Sequence, residues 1–289
     1  MSIPRPYLYA LPALVLLAVF IYWPIIYSLV LSFERWDFLS PHRPFVGFEN
    51  YERLLAAPEF HNSLTVTLVF VVASVPLRLV LALGLAHALA AETRLARLLR
   101  AVYFAPVVVS SVAVAIIWSW LFDTDTGLVN AAFGLLGAPS VPWLRDPHLA
   151  LAAVTIVAIW KQLGYDIVIY IAGLQAIPHD YYEAAAIDGA GVGRRFSAIT
   201  LPLLAPTTFF LLVVSVIDSF QIFTIVNVMT QGGPALGTDV LINLLYRLGF
   251  EFFDIGRGSA LAILLFLLLC ALTLLKFGVI GRRISYEHY

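Results

Sequence analysis

Six apolar windows constrain this chain more than any other feature. They lie near residues 8–33, 64–89, 101–122, 149–174, 203–228 and 259–280. Each is about as long as a helix needs to be to cross roughly 30 Å of bilayer hydrocarbon. None shows the residue-by-residue alternation of a membrane β-strand. Composition agrees: 61% of residues are hydrophobic and only 12% are charged. Soluble domains carry about 45–50% apolar and about 25% charged residues, so a water-soluble enzyme is excluded. A net charge of -1 without a basic patch argues against nucleic-acid binding. The expected fold is an all-α membrane protein, one transmembrane domain over residues 1–289 with six spans. Pro12 and Pro24 in the first window must be accommodated by neighbouring helices or local backbone adjustment. That window is too long for a signal-peptide core and lacks a clear small-residue cleavage site, so it is expected to be retained.

Loop charge sets the expected orientation. Arg5, Arg94, Arg97, Arg100, Arg194, Arg195, Lys276, Arg282 and Arg283 fall on one side of the alternating spans. Arg35, Arg43, Arg53, Arg145, Arg247 and Arg257 fall on the other, together with most of the acidic residues. Both termini are therefore expected in the cytoplasm, although Arg35, Arg43 and Arg53 pull locally the other way. Trp36, Trp118, Trp120 and Trp143 all fall near the expected outer boundary, as an interfacial belt would. Residues 240–250 are apolar but too short to span, which suggests a helix packed at the outer surface or a re-entrant piece.

The loop over residues 178–202 is the most informative stretch. Asp180 followed by Glu183 reads as a capping box. Ala184, Ala185 and Ala186 favour helix, and Gly189 is a natural exit from it. A short helix over about 181–188 is expected beneath the membrane. Its small side chains would let another protein approach closely, and Glu183 could accept charge-assisted hydrogen bonds from a partner's Arg or Lys. The plainer alternative is an interfacial helix that merely connects two spans. From the residues alone both stay open.

The same residues carry a resemblance. Glu183-Ala184-Ala185, Gly189 six residues after Glu183, then Ile199 and Leu201-Pro202 match the EAA loop of permease subunits of binding-protein-dependent ABC importers. Residues 160–165 and 173–178, Asp188-Gly189-Ala190-Gly191 and Thr230-Gln231-Gly232-Gly233-Pro234 resemble the carbohydrate branch, nearest the first-permease subunits of the maltose and glycerol-3-phosphate types. The resemblance runs from Pro24 to the last span. Extra spans or a large outer loop found in larger relatives are missing, which favours a compact six-span subunit of the type I importer fold. It implies that Glu183, Ala184, Ala185 and Gly189, with Asp188 and Ala190 beside them, form a coupling helix seated in a cytoplasmic ATPase subunit. It further implies a second, non-identical permease, two ATPase subunits and an extracytoplasmic solute-binding protein docking on the outer loops, near 123–143 and 232–234. The solute would be a sugar, polyol or glycerol phosphate entering across the cytoplasmic membrane. No Gly-x4-Gly-Lys-Ser/Thr motif is present. The chain itself is thus expected to be no enzyme and to hold no cofactor, with ATP and magnesium on the partner ATPase.

Four ionisable residues fall inside the windows: Arg78, Lys161, Asp166 and Asp218. Each costs about 2.5–3.5 kcal/mol at a helix centre on insertion scales, so they call for a wet cavity or mutual pairing. Gln162 and Tyr165 flank Lys161, Gln221 lies one turn from Asp218, and Asn227 sits nearer the outer end. One reading makes all eight a polar translocation pathway for a hydroxylated solute. The other pairs Arg78 or Lys161 with Asp166 or Asp218 as interhelical locks. Two central cations would suit a glycerol-phosphate-like anion. An ion-coupled secondary transporter working through Asp166 and Asp218 is the functional alternative, although no repeat between the halves supports it. The six histidines are scattered without metal-ligand spacing, and Cys270 reads as a packing residue.

Overall fold

A computed structural model describes residues 5–279. Arg282 and Arg283, used above for orientation, and Ile280, the expected end of the last span, lie outside the described residues. No β-strand occurs among the described residues; the chain is helical throughout, with one isolated bridge between Glu34 and Phe45. The helices are α1 (Tyr9–Leu31), α2 (Glu49–Ala56), α3 (Pro58–Leu89), α4 (Arg94–Val108), α5 (Ser111–Leu121), α6 (Leu128–Leu135) and α7 (Pro147–Gln175). They continue with α8 (His179–Ile187), α9 (Ala205–Phe220), α10 (Thr224–Met229), α11 (Leu241–Tyr246) and α12 (Ile255–Val279). Contacts divide the chain into one unit up to His61 plus Leu244–Ala271, and a second over Asn62–Asn243 plus residues from Leu272 on.

Among the described residues, five apolar helical stretches are long enough to cross a bilayer: Tyr9–Leu31, Pro58–Leu89, Pro147–Gln175, Ala205–Met229 and Ile255–Lys276. The sixth differs from expectation. Instead of one helix over 101–122, α4 and α5 meet at a bend of 102°. Val109 takes an extended backbone (ψ 141°) between them, so the helical ladder stops and restarts at Ser110. Composition cannot reveal such a break, because both halves are apolar.

In the first unit, α1 passes its Pro12 and Pro24 by widening to a π-turn over Ala18–Tyr22 between them. Its side chains are mostly exposed, as suits a helix solvated by lipid or by another protein. The chain after it is held by Asn50, which donates from Nδ2 to the carbonyls of Ser32 (2.9 Å) and Glu34 (2.8 Å). Phe33 packs against the rings of Phe45, Phe48 and Tyr51. The three arginines that pulled against the orientation all have local partners. Arg35 pairs with Glu49, Arg43 lies 3.5 Å over the Trp36 ring, and Arg53 faces Asp254 at 4.0 Å.

The second unit has the larger core, with Phe70, Val154, Ile167, Tyr170, Leu211, Phe220 and Val226 nearly or fully buried. Glycine permits one close helix crossing there. A Cβ on Gly164 of α7 would collide with the backbone of Tyr103 and Phe104 in α4. The loop after α10 is strapped to α3 by buried polar groups. Asp239 accepts from Ser63 (2.8 Å) and Asn243 (2.8 Å), and Thr67 accepts from the amide of Leu241 (2.9 Å). Part of the expected tryptophan belt packs as a half-buried aromatic cluster here. Trp118 packs on Phe122 and Trp160, and Trp143 packs on Phe122 and Phe133 while donating to Asn130 (3.2 Å).

Candidate functional site

Two features of the second unit carry the chemistry. The first is α8. It spans His179–Ile187 rather than 181–188 and has no buried residue. Pro178, not Asp180, occupies the N-cap, and no side chain caps the helix, so the expected capping box does not form. Proline's fixed φ brings the chain into the helix two residues early, leaving Asp180 in the first turn, where its charge favours the helix N-terminus. Glu183 is exposed, 3.9 Å from His179, which is exposed too.

The exit follows the sequence. Gly189 sits at φ 76°, the Ala190 amide reaches back to Ala185 O (2.8 Å), and the Gly189 amide donates to Ala186 O (3.1 Å). This is the paired closure of a Schellman motif, which a left-handed glycine makes possible. Two further bonds were not foreseen. Tyr182 OH and Thr200 Oγ1 share a hydrogen bond (2.9 Å), and Arg195 Nε donates to Ala190 O (2.7 Å). Thr200 is 1% exposed at the end of the π-turn Phe196–Thr200, which leads into the next span. An almost wholly exposed helix is thereby tied at both ends to the segment leading into α9. Its free face presents Glu183, Ala184, Ala186 and Ile187, the last 88% exposed.

The second feature is a cavity of about 250 Å³ among α3, α5, α7, α9 and α10. Arg78, Lys161, Gln162, Asp218 and Gln221 of the predicted pathway line it, with Ser74, Ser111, Ser219, Thr224, Phe70 and Phe223. Tyr165, Asp166 and Asn227 do not. Two broken helices shape the wall. Ser111 follows the α4–α5 break, and Gln221, Ile222 and Phe223 form the break between α9 and α10. Irregular backbone at membrane depth is tolerated where protein or a polar cavity satisfies it.

The intramembrane charges fall into different settings. Arg78 Nε lies 2.6 Å from Asp166 Oδ2, with side-chain exposures of 6% and 0%, and Arg78 also donates to Ser215. That pair ties α3 to α7 and α9. Lys161 has no carboxylate partner among the described residues. Its ammonium donates to the carbonyls of Pro106 (3.2 Å), Val107 (3.4 Å) and Val109 (2.9 Å). These are acceptors that α4 leaves open when it breaks, so Lys161 caps the end of that helix. Asp218 lines the cavity, half-buried, without hydrogen bond or ion pair at contact distance among the described residues but within reach of the Arg78 charge. Asn227 donates to Asn243 (3.3 Å) and belongs to the strapped loop. No group of three or more His, Cys, Asp or Glu able to hold a metal occurs among the described residues.

Comparison with known proteins identifies relatives of the whole chain. Residues 78–286 match the family model described as binding-protein-dependent transport system inner membrane component. The sn-glycerol-3-phosphate transport system permease protein UgpA of Pectobacterium atrosepticum is 34% identical over 285 residues, 98% of this chain and 96% of that one. The trehalose/maltose transport system permease protein MalF of Thermococcus litoralis is 39% identical over 273 residues, covering 94% and 92%. Among solved structures, a bacterial ABC transporter involved in import of the acidic polysaccharide alginate superposes with a TM-score of 0.83 at 25% identity, over 97% of this chain and 96% of that one. A second structure of a bacterial alginate transporter, in complex with an alginate pentasaccharide-bound periplasmic protein, gives 0.86 at 23% identity over 98% and 95%, a likeness of fold.

Proposed function

We propose, for a chain that belongs to the family of binding-protein-dependent transport system inner membrane components, that it is the membrane-spanning permease of an ATP-driven importer of sugars or related polyol or glycerol-phosphate solutes. The observation that carries this reading is α8. It is a helix with no buried residue, closed by a left-handed glycine and tied through Tyr182–Thr200 to the start of a span. A helix so exposed on its own chain, yet so firmly attached, is built to be gripped and pulled. Glu183, Ala184, Ala185, Asp188, Gly189 and Ala190 would meet a cytoplasmic ATPase subunit. Closure of the ATPase pair on ATP would move α8, and with it the segment leading into α9, as a rigid-body switch between two packed states.

The remaining parts follow from the same reading. A second, non-identical permease completes the pathway, two ATPase subunits hold ATP and magnesium, and this chain holds no cofactor. An extracytoplasmic binding protein delivers solute to the loops around 123–143 and 232–234. The whole chain is one permease domain in the cytoplasmic membrane with both termini inside. Gln162, Asp218 and Gln221, together with the serines and threonine beside them, offer the hydrogen bonds a hydroxylated solute needs. The ion-coupled alternative finds no support in the family or in the structure: Asp166 is locked to Arg78.

The test is co-purification. The chain is expected to bring down its ATPase subunit and, with it, to catalyse ATP-driven uptake. Glu183→Lys should lose both. An intact complex with normal uptake in that variant would overturn the role given to α8.

A further inference from the structure

We infer that the loop between α1 and α2 is a phospholipid seat, in which Arg43 takes the phosphodiester of a headgroup while the loop tip enters the acyl boundary of the same leaflet. The inference rests on α1 and α12 being membrane spans, which their length and apolar composition support, and not on which solute is carried.

Two bonds fix the depth of the loop. Arg43 Nη1 donates to the hydroxyl of Tyr27 (2.9 Å). Tyr27 lies four residues before the last residue of α1, about 6 Å down the span at 1.5 Å per residue. Helical side chains lean toward the N-terminus, which for Tyr27 is the deeper direction. The amide of Ile255, the first residue of α12, donates to the carbonyl of Trp36 (3.0 Å). The loop is thus folded back against the ends of two spans, at headgroup level, and does not stand clear of the membrane.

At that level the loop presents apolar side chains on a turn built to hold them outward. Asp37 Oδ1 accepts from the amides of Leu39 (3.1 Å) and Ser40 (2.7 Å), and Trp36 Nε1 donates to Ser40 O (3.0 Å). The turn puts Phe38 at φ 65°, a left-handed backbone that is costly for a bulky side chain. Strain of this kind clusters at functional sites. Phe38 and Phe45 are exposed, and Leu39 at the tip is 82% exposed. The patch continues the exposed apolar surface of α1. Aromatic rings collect at just this boundary between hydrocarbon and water.

Arg43 supplies the headgroup chemistry. Its guanidinium lies 3.5 Å over the Trp36 ring and gives one N–H group to Tyr27. It has no carboxylate partner among the described residues, whereas nearby Arg35 pairs with Glu49. A guanidinium carries five N–H groups in a planar fork that matches two phosphate oxygens. The groups of Arg43 not given to Tyr27 are open to a lipid phosphate. A water-soluble partner would have to reach them at the level of the last turn of α1, where lipid already lies.

Photocrosslinking from the loop in the assembled importer identifies what covers it. Leu39→p-benzoyl-phenylalanine is the first position, and Phe45→p-benzoyl-phenylalanine the second should the first not assemble. The complex is placed in bilayers of equal parts phosphatidylglycerol and an uncharged galactolipid with the same acyl chains. After irradiation, adducts on this chain are identified by mass spectrometry. Lipid adducts are expected, with phosphatidylglycerol favoured about five-fold over galactolipid, the scale of one cation at a membrane surface. Arg43→Ala should bring that ratio close to one while lipid adducts persist, and Arg43→Lys should restore part of it. Inorganic phosphate added in excess should leave the ratio unchanged. Adducts chiefly to a second permease or to the solute-binding protein, or no adduct from either position, would overturn the inference. So would a ratio near one in the parent, a ratio unmoved by Arg43→Ala, or a ratio abolished by inorganic phosphate, which would make the ligand a free anion. ATP-driven uptake by the parent complex in the same bilayers tests the transport reading separately.

Discussion

The ammonium of Lys161 holds the break in the third span, and removing it has a calculable cost. Lys161→Met keeps most of the side chain's length and apolar stem but deletes three donors. Hydrogen bonds to charged groups contribute about 1.5–3 kcal/mol each, so the gross loss is about 5–9 kcal/mol. Against this, burying an ammonium costs several kcal/mol, and the variant no longer bears that cost. The net destabilisation expected of the α4–α5 junction is about 2–4 kcal/mol, since the carbonyls of Pro106, Val107 and Val109 lose the Lys161 ammonium. At about 1.4 kcal/mol per factor of ten, amide protection over residues 110–114 should fall by about 30- to 1,000-fold. Hydrogen-exchange mass spectrometry of the purified complex measures this directly. Asp218→Asn, which touches no break carbonyl, should leave those amides unchanged. Protection in Lys161→Met within three-fold of the parent would refute the idea that the lysine caps the helix.

Other consequences are equally open to measurement. Gly164→Ala should separate α4 from α7, because its methyl would fall on the Tyr103 backbone; a cost above about 3 kcal/mol is expected, seen as lost yield of folded chain. Gly189→Val places a β-branched residue at φ 76° and should weaken ATPase co-purification while leaving the heat stability of the spans unchanged. Asp239→Ala removes the acceptor shared by Ser63 and Asn243 and should destabilise the loop after α10 by about 3 kcal/mol, read as faster proteolysis there. In the turn after α5, the amide and hydroxyl of Thr126 and the amide of Asp125, with Arg145 nearby, hold the Asp123 carboxyl below its ordinary value of 3.8. A lowered carboxyl stabilises the turn fully above the ordinary value and ceases to do so as pH falls through the lowered one. Exchange of the Thr126 amide should therefore show no loss of protection on lowering the pH from 7 to 5, once corrected for intrinsic rates.

What could be read in advance was whatever depends on neighbours in the chain. Five of the six apolar windows and the glycine exit at Gly189 are local, and they emerge where expected. The start of α8 was misjudged by two residues because Asp180 and Glu183 fit a capping pattern, yet Pro178, fixed at φ -59°, reaches the helix first. The break at Val109 was invisible for a deeper reason. Its cap is supplied by Lys161 from another helix, and no window of composition reports a partner 52 residues away. The intramembrane charges show the same limit. Their residue types announced that pairing or a polar cavity was required. Only the packing of α3 against α7 decides that Arg78 makes its contact pair with Asp166 and not with Asp218. Tyr182 carried no signal at all, since a tyrosine beside an alanine run looks like any interfacial aromatic until Thr200 is placed beneath it.

The account as a whole depends on where the energy for transport enters. The complete importer can be reconstituted in vesicles with ATP trapped inside and all proton and sodium gradients collapsed by ionophores, with solute and its binding protein added outside. Uptake that continues under these conditions, and stops when the trapped nucleotide is a non-hydrolysable analogue, is the predicted result. Uptake that ignores the nucleotide and vanishes with the ion gradients would contradict it.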